Sequence, residues 1–314
     1  MEKDAFEKKK KVWTKNRIQI FIMAMMGAVF LFIFAYVPMF GIVLAFKDGD
    51  KELNVFQTIL SGEWVGLEHF TRFFNDYNFK NILLNTLGLN LLMLCINFPV
   101  PIIFALFLNE VRHKRYQRAI QSVAIFPTFL SWVVFGGILI SLGDVNLGVI
   151  NPILRGLGLL GEEGYINLGE AKYSWFMIIT SSLLKGTGWS SVIYSAAILG
   201  VDRDLYEAAT LDGAGRLRQM ASITLPCIAP TVTVFFLLSI SGLLNNSFEH
   251  IYVFQNAINL SSSEVIATYI YKQGISNRLY SYTTAVGLFQ SVIAFVLLIG
   301  SNLVSKKLTG RGIY

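Results

Sequence analysis

"DLYEAATLDGAGRLRQMASITLP", Asp204 to Pro226, is a mostly polar stretch lying between two long apolar runs, and its reading decides the fold. Asp204 can cap a helix, Glu207 three residues on makes a capping-box-like pattern, and Gly213 suits a left-handed end. The result is a helix of about two turns, too short to stand alone, so packing must hold it. Ala208 and Ala209 leave its surface shallow. With Leu205, Tyr206 and Leu211 beside them, it can lie closely in a groove on another protein. A second helix from about Arg216 is expected to run to Pro226, where the chain turns into the next apolar run.

Outward from this stretch the sequence is that of an integral membrane protein. Its 314 residues are 54% hydrophobic and only 15% charged, with a mean hydropathy of +0.55, against roughly 45–50% apolar and about 25% charged in soluble domains. A hydrocarbon core needs about 20 apolar helical residues. Six runs meet that length: 18–46, 82–109, 119–143, 173–201, 227–248 and 279–305. The expected fold is all-α and polytopic, with six transmembrane helices over residues 18–305, a basic tail at 1–17, a loop at 202–226 between helices four and five, and a short tail at 306–314.

Charge sets the orientation. Seventeen Lys and Arg residues fall in the two tails and in the loops 110–118 and 202–226, against eight in the alternate loops, with Lys185 left over from the 26. By the positive-inside rule both termini and the stretch 202–226 are expected in the cytoplasm. The net charge of +6 thus reads as topology, and no nucleic-acid partner is implied. Cys95 and Cys227 sit in or beside different helices, where buried free thiols are expected and no disulfide or metal set is implied. The cluster Trp64, Phe70, Phe73, Phe74, Tyr77 and Phe79 suits either a segment at headgroup level or a loop packed on helix ends.

Several chemistries are disfavoured. "GLGLLG", Gly156 to Gly161, has the letters of a dinucleotide fingerprint but no preceding strand is expected there, and no P-loop pattern occurs in the chain. None of the six runs holds Asp or Glu, and His69, His113 and His250 fall in loops or at helix ends, so neither a proton relay nor an intramembrane acid–base pair is available. Lys185 is the exception; at about 2.5–3.5 kcal/mol for a mid-membrane Lys it must face a cavity or a partner. A transporter without an internal energy site must take its energy from another protein, gripped through a cytoplasmic element.

Glu207-Ala208-Ala209, three residues, Gly213, nine residues and Ile223-Thr224-Leu225-Pro226 resembles the EAA loop of ABC importer permeases, with every specified position filled. Asp212-Gly213-Ala214 resembles the maltose-permease-like sugar branch. "PMFGIVLAFKD" (Pro38–Asp48), "LNEVRHKR" (Leu108–Arg115), "SWVVFGGI" (Ser131–Ile138) and "YTTAVGLFQS" (Tyr282–Ser291) are similar to permeases of polysaccharide and complex-oligosaccharide importers. The resemblance implies that Leu205 to Gly213 is the coupling helix docking into an ATPase, with Leu205, Tyr206, Glu207, Ala208, Ala209, Asp212, Gly213 and Arg216 as its coupling residues. It also implies a bacterial inner-membrane, non-catalytic transport subunit in a heterodimer with a second permease. Its further partners would be two ATPase subunits, which bind the ATP and Mg that this chain does not, and an extracytoplasmic sugar-binding protein.

A sugar path in the bilayer needs aromatic faces and neutral hydrogen-bonding groups on apolar helices. The candidates are Ser131 and Trp132 on helix three, Ser182, Lys185 and Trp189 on helix four, and Ser239, Asn245 and Asn246 on helix five. Helix–helix packing is the plainer role for each, and an acidic sugar could use Lys185 as its counter-charge. The alternatives are a permease for another solute such as a peptide, and a polytopic membrane enzyme; for the latter Glu162, Glu163, Glu249 and Glu264 are scattered and form no ligand set.

Overall fold

A computed structural model describes residues 15–49, 55–241 and 248–309. The described residues are helical throughout apart from turns and a single bridge between Lys47 and Trp64, and no strand forms among them. We label the helices used below α1 (Lys15–Phe46), α2 (Phe79–Asn109), α3 (Lys114–Phe129), α4 (Trp132–Leu142), α5 (Ser174–Leu199), α6 (Arg203–Leu211), α7 (Arg216–Ile240), α8 (Phe248–Phe254), α9 (Ile266–Tyr271) and α10 (Tyr280–Thr309). Helices α1, α2, α7 and the Tyr280–Gly300 part of α10 are each long and apolar enough to cross a bilayer, which makes this a multi-pass membrane protein.

The third apolar run does not form one straight helix. It breaks between α3 and α4, whose axes differ by 105°. Pro127 begins the break by tightening Phe126–Phe129 into a 3-10 turn, Leu130 is extended, and the Ser131 hydroxyl then caps α4 by accepting from the Val134 amide at 3.2 Å. The fourth run folds as α5, 26 residues long, but its serines, threonines, glycines and Lys185 leave it less apolar than its neighbours. The first run stays helical past Pro38: a π turn at Phe32–Tyr36 precedes the proline, and a 3-10 turn carries the chain from Phe40 to Phe46. Nor does Pro226 mark a corner: α7 runs unbroken from Arg216 to Ile240, and the π turn at Met220–Thr224 just ahead of the proline widens the ladder where its ring and missing N–H would otherwise disturb an α-helix interior.

Three clusters make the core. One joins Phe73 and Ile82 to Ile266, Tyr269, Tyr282 and Val286, so the aromatic segment before α2 is packed onto helix ends; Phe79 and Phe289 lie against it, while Trp64, Phe74 and Tyr77 are exposed. A second binds α2, α5, α8 and Val265 through Leu89, Ile178, Ile251 and Phe254, and a third binds α2, α5 and α7 through Ile102, Ala105, Tyr194, Ile198 and Ile228. Polar side chains reinforce these seams: the Asn85 amide donates to the Ser261 and Glu264 carbonyls at 3.0 and 3.1 Å, and Thr86 Oγ1 accepts from the Ile266 amide at 3.0 Å. Helix α1 contributes no buried residue over Lys15–Leu31. Both cysteines are free but exposed on the outer faces of α2 and α7, where lipid or another subunit and not this chain's core meets them.

Candidate functional site

Helix α6 is capped by Asp202, whose carboxylate accepts from the Asp204 amide at 3.1 Å. Asp204 therefore lies inside the first turn, where its charge suits the positive end of the helix, and the cap sits two residues before the expected one. The other end closes at Gly213, with φ +78°. There the Ala214 amide donates to Ala209 O at 2.9 Å and the Gly213 amide to Thr210 O at 3.1 Å, the pair of bonds of a Schellman motif.

One edge of α6 is fixed to α7. Tyr206 OH and Thr224 Oγ1 are 2.9 Å apart, and Gln219 Nε2 donates to Thr210 Oγ1 and to Ala214 O, each at 3.0 Å. Arg216 lies 3.6 Å from Glu110, tying the loop to the end of α2. The opposite edge is open. Leu205, Glu207, Ala208, Asp212 and Gly213 are exposed, and Leu211 is 89% exposed, while Ala209 is half-buried. A nine-residue helix that keeps its leucines and alanines outward has an apolar face without a partner in its own chain.

A cavity of about 370 Å³ opens between α2, α5 and α7. Its polar lining is neutral: Asn90 and Asn97 from α2, Ser182, Ser190 and Tyr194 from α5, and Ser239 from α7, with Phe98 and Phe235 among the apolar walls. Asn97 Oδ1 is buried without a hydrogen-bond partner, an acceptor that a hydroxyl could satisfy. Of the sequence candidates, Ser182 and Ser239 line this cavity. Asn90, Asn97, Ser190 and Tyr194 escaped the sequence reading, although the seven-residue spacing of Asn90 and Asn97 places both on one face of an otherwise apolar helix.

Ser131, Trp132 and Lys185 are brought together elsewhere, at the α3–α4 break. The Lys185 ammonium donates to Pro127 O at 3.1 Å, Thr128 O at 3.2 Å and Leu130 O, and Thr128 Oγ1 returns a bond to Lys185 O at 2.8 Å. These carbonyls belong to the end of a broken helix, so the cation both satisfies them and meets the negative end of the helix dipole. Trp132 lies under the ammonium, 5.1 Å from ring centre to Nζ, and stacks on His250 at 3.9 Å, whose Nε2 is 2.9 Å from Ser181 Oγ. One turn on, a Cβ at Gly188 would overlap the Ala124 carbonyl, so only glycine allows α5 to cross α3 this closely. Trp189 is 57% exposed and lines neither group. Asn245 and Asn246 lie outside the described residues. The Gly156–Gly161 pattern follows a short helix, Ile150–Gly156, with no strand before it.

The comparisons agree with this geometry. Residues 97–310 match the family model of the binding-protein-dependent transport system inner membrane component. The polygalacturonan/rhamnogalacturonan transport system permease protein YteP of Bacillus subtilis is 41% identical over 98% of this chain and 94% of its own length, and protein LplB of the same organism is 40% identical over 94% and 91%. A crystal structure of a bacterial ABC transporter involved in the import of the acidic polysaccharide alginate superposes with a TM-score of 0.84 at 32% identity, covering 94% of this chain and 97% of that one. A second structure, of the bacterial alginate ABC transporter in complex with an alginate pentasaccharide-bound periplasmic protein, matches with the same TM-score. The chain therefore belongs to the family of inner membrane components of binding-protein-dependent transport systems.

Proposed function

We propose that this chain is one permease of an ABC importer that takes up an oligosaccharide or polysaccharide fragment. The exposed α6, fixed by one edge to α7 and open on the other, carries the reading: it is a short docking element held by the membrane helices it would move. In this scheme six spans place both termini and α6 in the cytoplasm of a bacterial cell, and an ATPase subunit receives α6. A second, related permease completes the path, and an extracytoplasmic binding protein delivers the sugar. ATP and Mg are held by the ATPases, and this chain performs no chemistry on its cargo. ATP-driven closure draws the two coupling helices together, and rigid-body rocking turns the cavity between inward and outward access.

The cavity between α2, α5 and α7 is the part of the path this chain supplies. Its amides and hydroxyls exchange bonds with sugar hydroxyls, while Phe98, Phe235 and Tyr194 offer ring faces to the C–H side of a pyranose. Ser182 and Ser239 touch the sugar; Ser131, Trp132 and Lys185 shape the path by fixing the broken helix. The test is the ATPase rate of the co-purified complex in lipid, with its binding protein, against neutral and uronic-acid oligosaccharides. Stimulation by one sugar class is expected. Stimulation by peptides alone, or no co-purifying ATPase, overturns the reading.

A further inference from the structure

A second cavity, of about 360 Å³, lies at the opposite end of the bundle from α6 and shares no lining residue with the first. Its walls come from the end of α4, the turns at 143–146 and 167–169, Met177 of α5 and the end of α8. From Met177 to Leu199, beside the α6 cap, α5 rises about 33 Å, roughly one hydrocarbon thickness. The cavity thus sits about one hydrocarbon thickness from α6, at the level from which cargo from a binding protein would arrive.

Its lining mixes Ile140, Leu168, Met177 and Phe254 with the amides of Asn146, Asn167, Gln255 and Asn256. Asn256 already bonds Gly169 O and the Ile258 and Asn259 amides, and Asn167 Oδ1 accepts from the Gly169 amide. No Lys or Arg lines it. Gln255 Nε2 donates to Ser263 O at 2.8 Å and to Thr268 Oγ1 at 3.1 Å, which fixes the orientation of the amide and leaves Oε1 buried without a partner. The one charge is Asp144, exposed in the wall; its Oδ1 accepts from the Leu147 and Asn146 amides at 2.8 and 2.9 Å, and these bonds hold its carboxyl below the usual range, so it stays ionised.

We infer that this cavity is a subsite for one neutral pyranose unit of the incoming oligosaccharide, and that Asp144 turns a uronate away from it. The inference rests on the sugar-import reading. A sugar ring suits this mixed lining, with C–H groups for Phe254 and Met177 and hydroxyls for Asn146 and Asp144. A carboxylate would find a second carboxylate and no cation.

The experiment uses the assembled importer in nanodiscs without binding protein, with galactotetraose and tetragalacturonate as probes in saturation-transfer NMR. The wild type should bind the neutral probe about tenfold more tightly, the effect of one unfavourable charge contact. Asn146→Trp, which obstructs the mouth at an exposed position, should abolish this component, and Asn146→Ser should keep it. Asp144→Asn keeps an acceptor for the turn and should narrow the gap between the probes; if Asn146→Trp fails to assemble, this variant decides the matter. Unchanged binding in Asn146→Trp, or an unchanged ratio in Asp144→Asn, overturns the subsite, and sugar-stimulated ATPase in the same wild-type complex leaves the import reading standing. No stimulation by any sugar overturns both.

Discussion

Lys185 illustrates how a residue can be found in sequence and its surroundings missed. That a lysine in an apolar run needs a partner follows from the cost of its charge; that the partner is the main chain of Pro127, Thr128 and Leu130 could not be read, because no side-chain pattern marks an unsatisfied carbonyl. Lys185→Met takes a donor from each of these carbonyls; Pro127 O keeps the Leu130 amide at 3.3 Å, while each carbonyl left bare costs roughly 1–3 kcal/mol. The melting temperature of the purified complex in detergent should fall by a few degrees to about 10 °C. Uptake of neutral and acidic sugars should fall together. Selective loss of the acidic one would instead make Lys185 a counter-charge for cargo.

At the scale of elements, α6 was legible nearly to the residue, because Gly213 and the apolar positions around it allow one ending and one short helix. The cap moved to Asp202 because two acids two residues apart can both serve, and packing chose between them. The bend between α3 and α4 was not legible. Pro127 alone is compatible with a kinked span, and only the long-range bonds from α5 and the close crossing at Gly188 hold the two halves at so wide an angle. For α6 itself, Glu207→Ala with Gly213→Asp takes the exposed carboxylate off the body of the helix, puts one at its end and forces an L residue into left-handed backbone, at about 1–2 kcal/mol. A tagged chain carrying both changes should reach the membrane intact but bring down little ATPase. Full retention of the ATPase, with full uptake, would remove α6 from the coupling role.

Over the whole molecule, the all-helical membrane class followed from composition and run length, and four of the six apolar runs appear among the described residues as single helices long and apolar enough to span, whereas the two cavities did not follow, since each is assembled from residues far apart in the chain. Ser182 and Ser239 were found because polar residues stand out in apolar runs; Asn245 and Asn246 fall outside the described residues. The outward α1, with Met23 and Met26 about 70% exposed, has no buried residue over Lys15–Leu31. Met26→Cys should react with a membrane-permeant maleimide in the lone chain and be protected when the second permease is co-expressed; equal labelling in both would give that face to lipid. The corner at Lys185 has one more consequence, for mutational tolerance. A grip on carbonyl oxygens is indifferent to the side chains of the residues gripped. A saturation scan should therefore be lopsided: Leu130, gripped through its carbonyl alone, open to many substitutions, Lys185 and Gly188 to almost none, so that a residue held at the bend is freer to change than those that hold it.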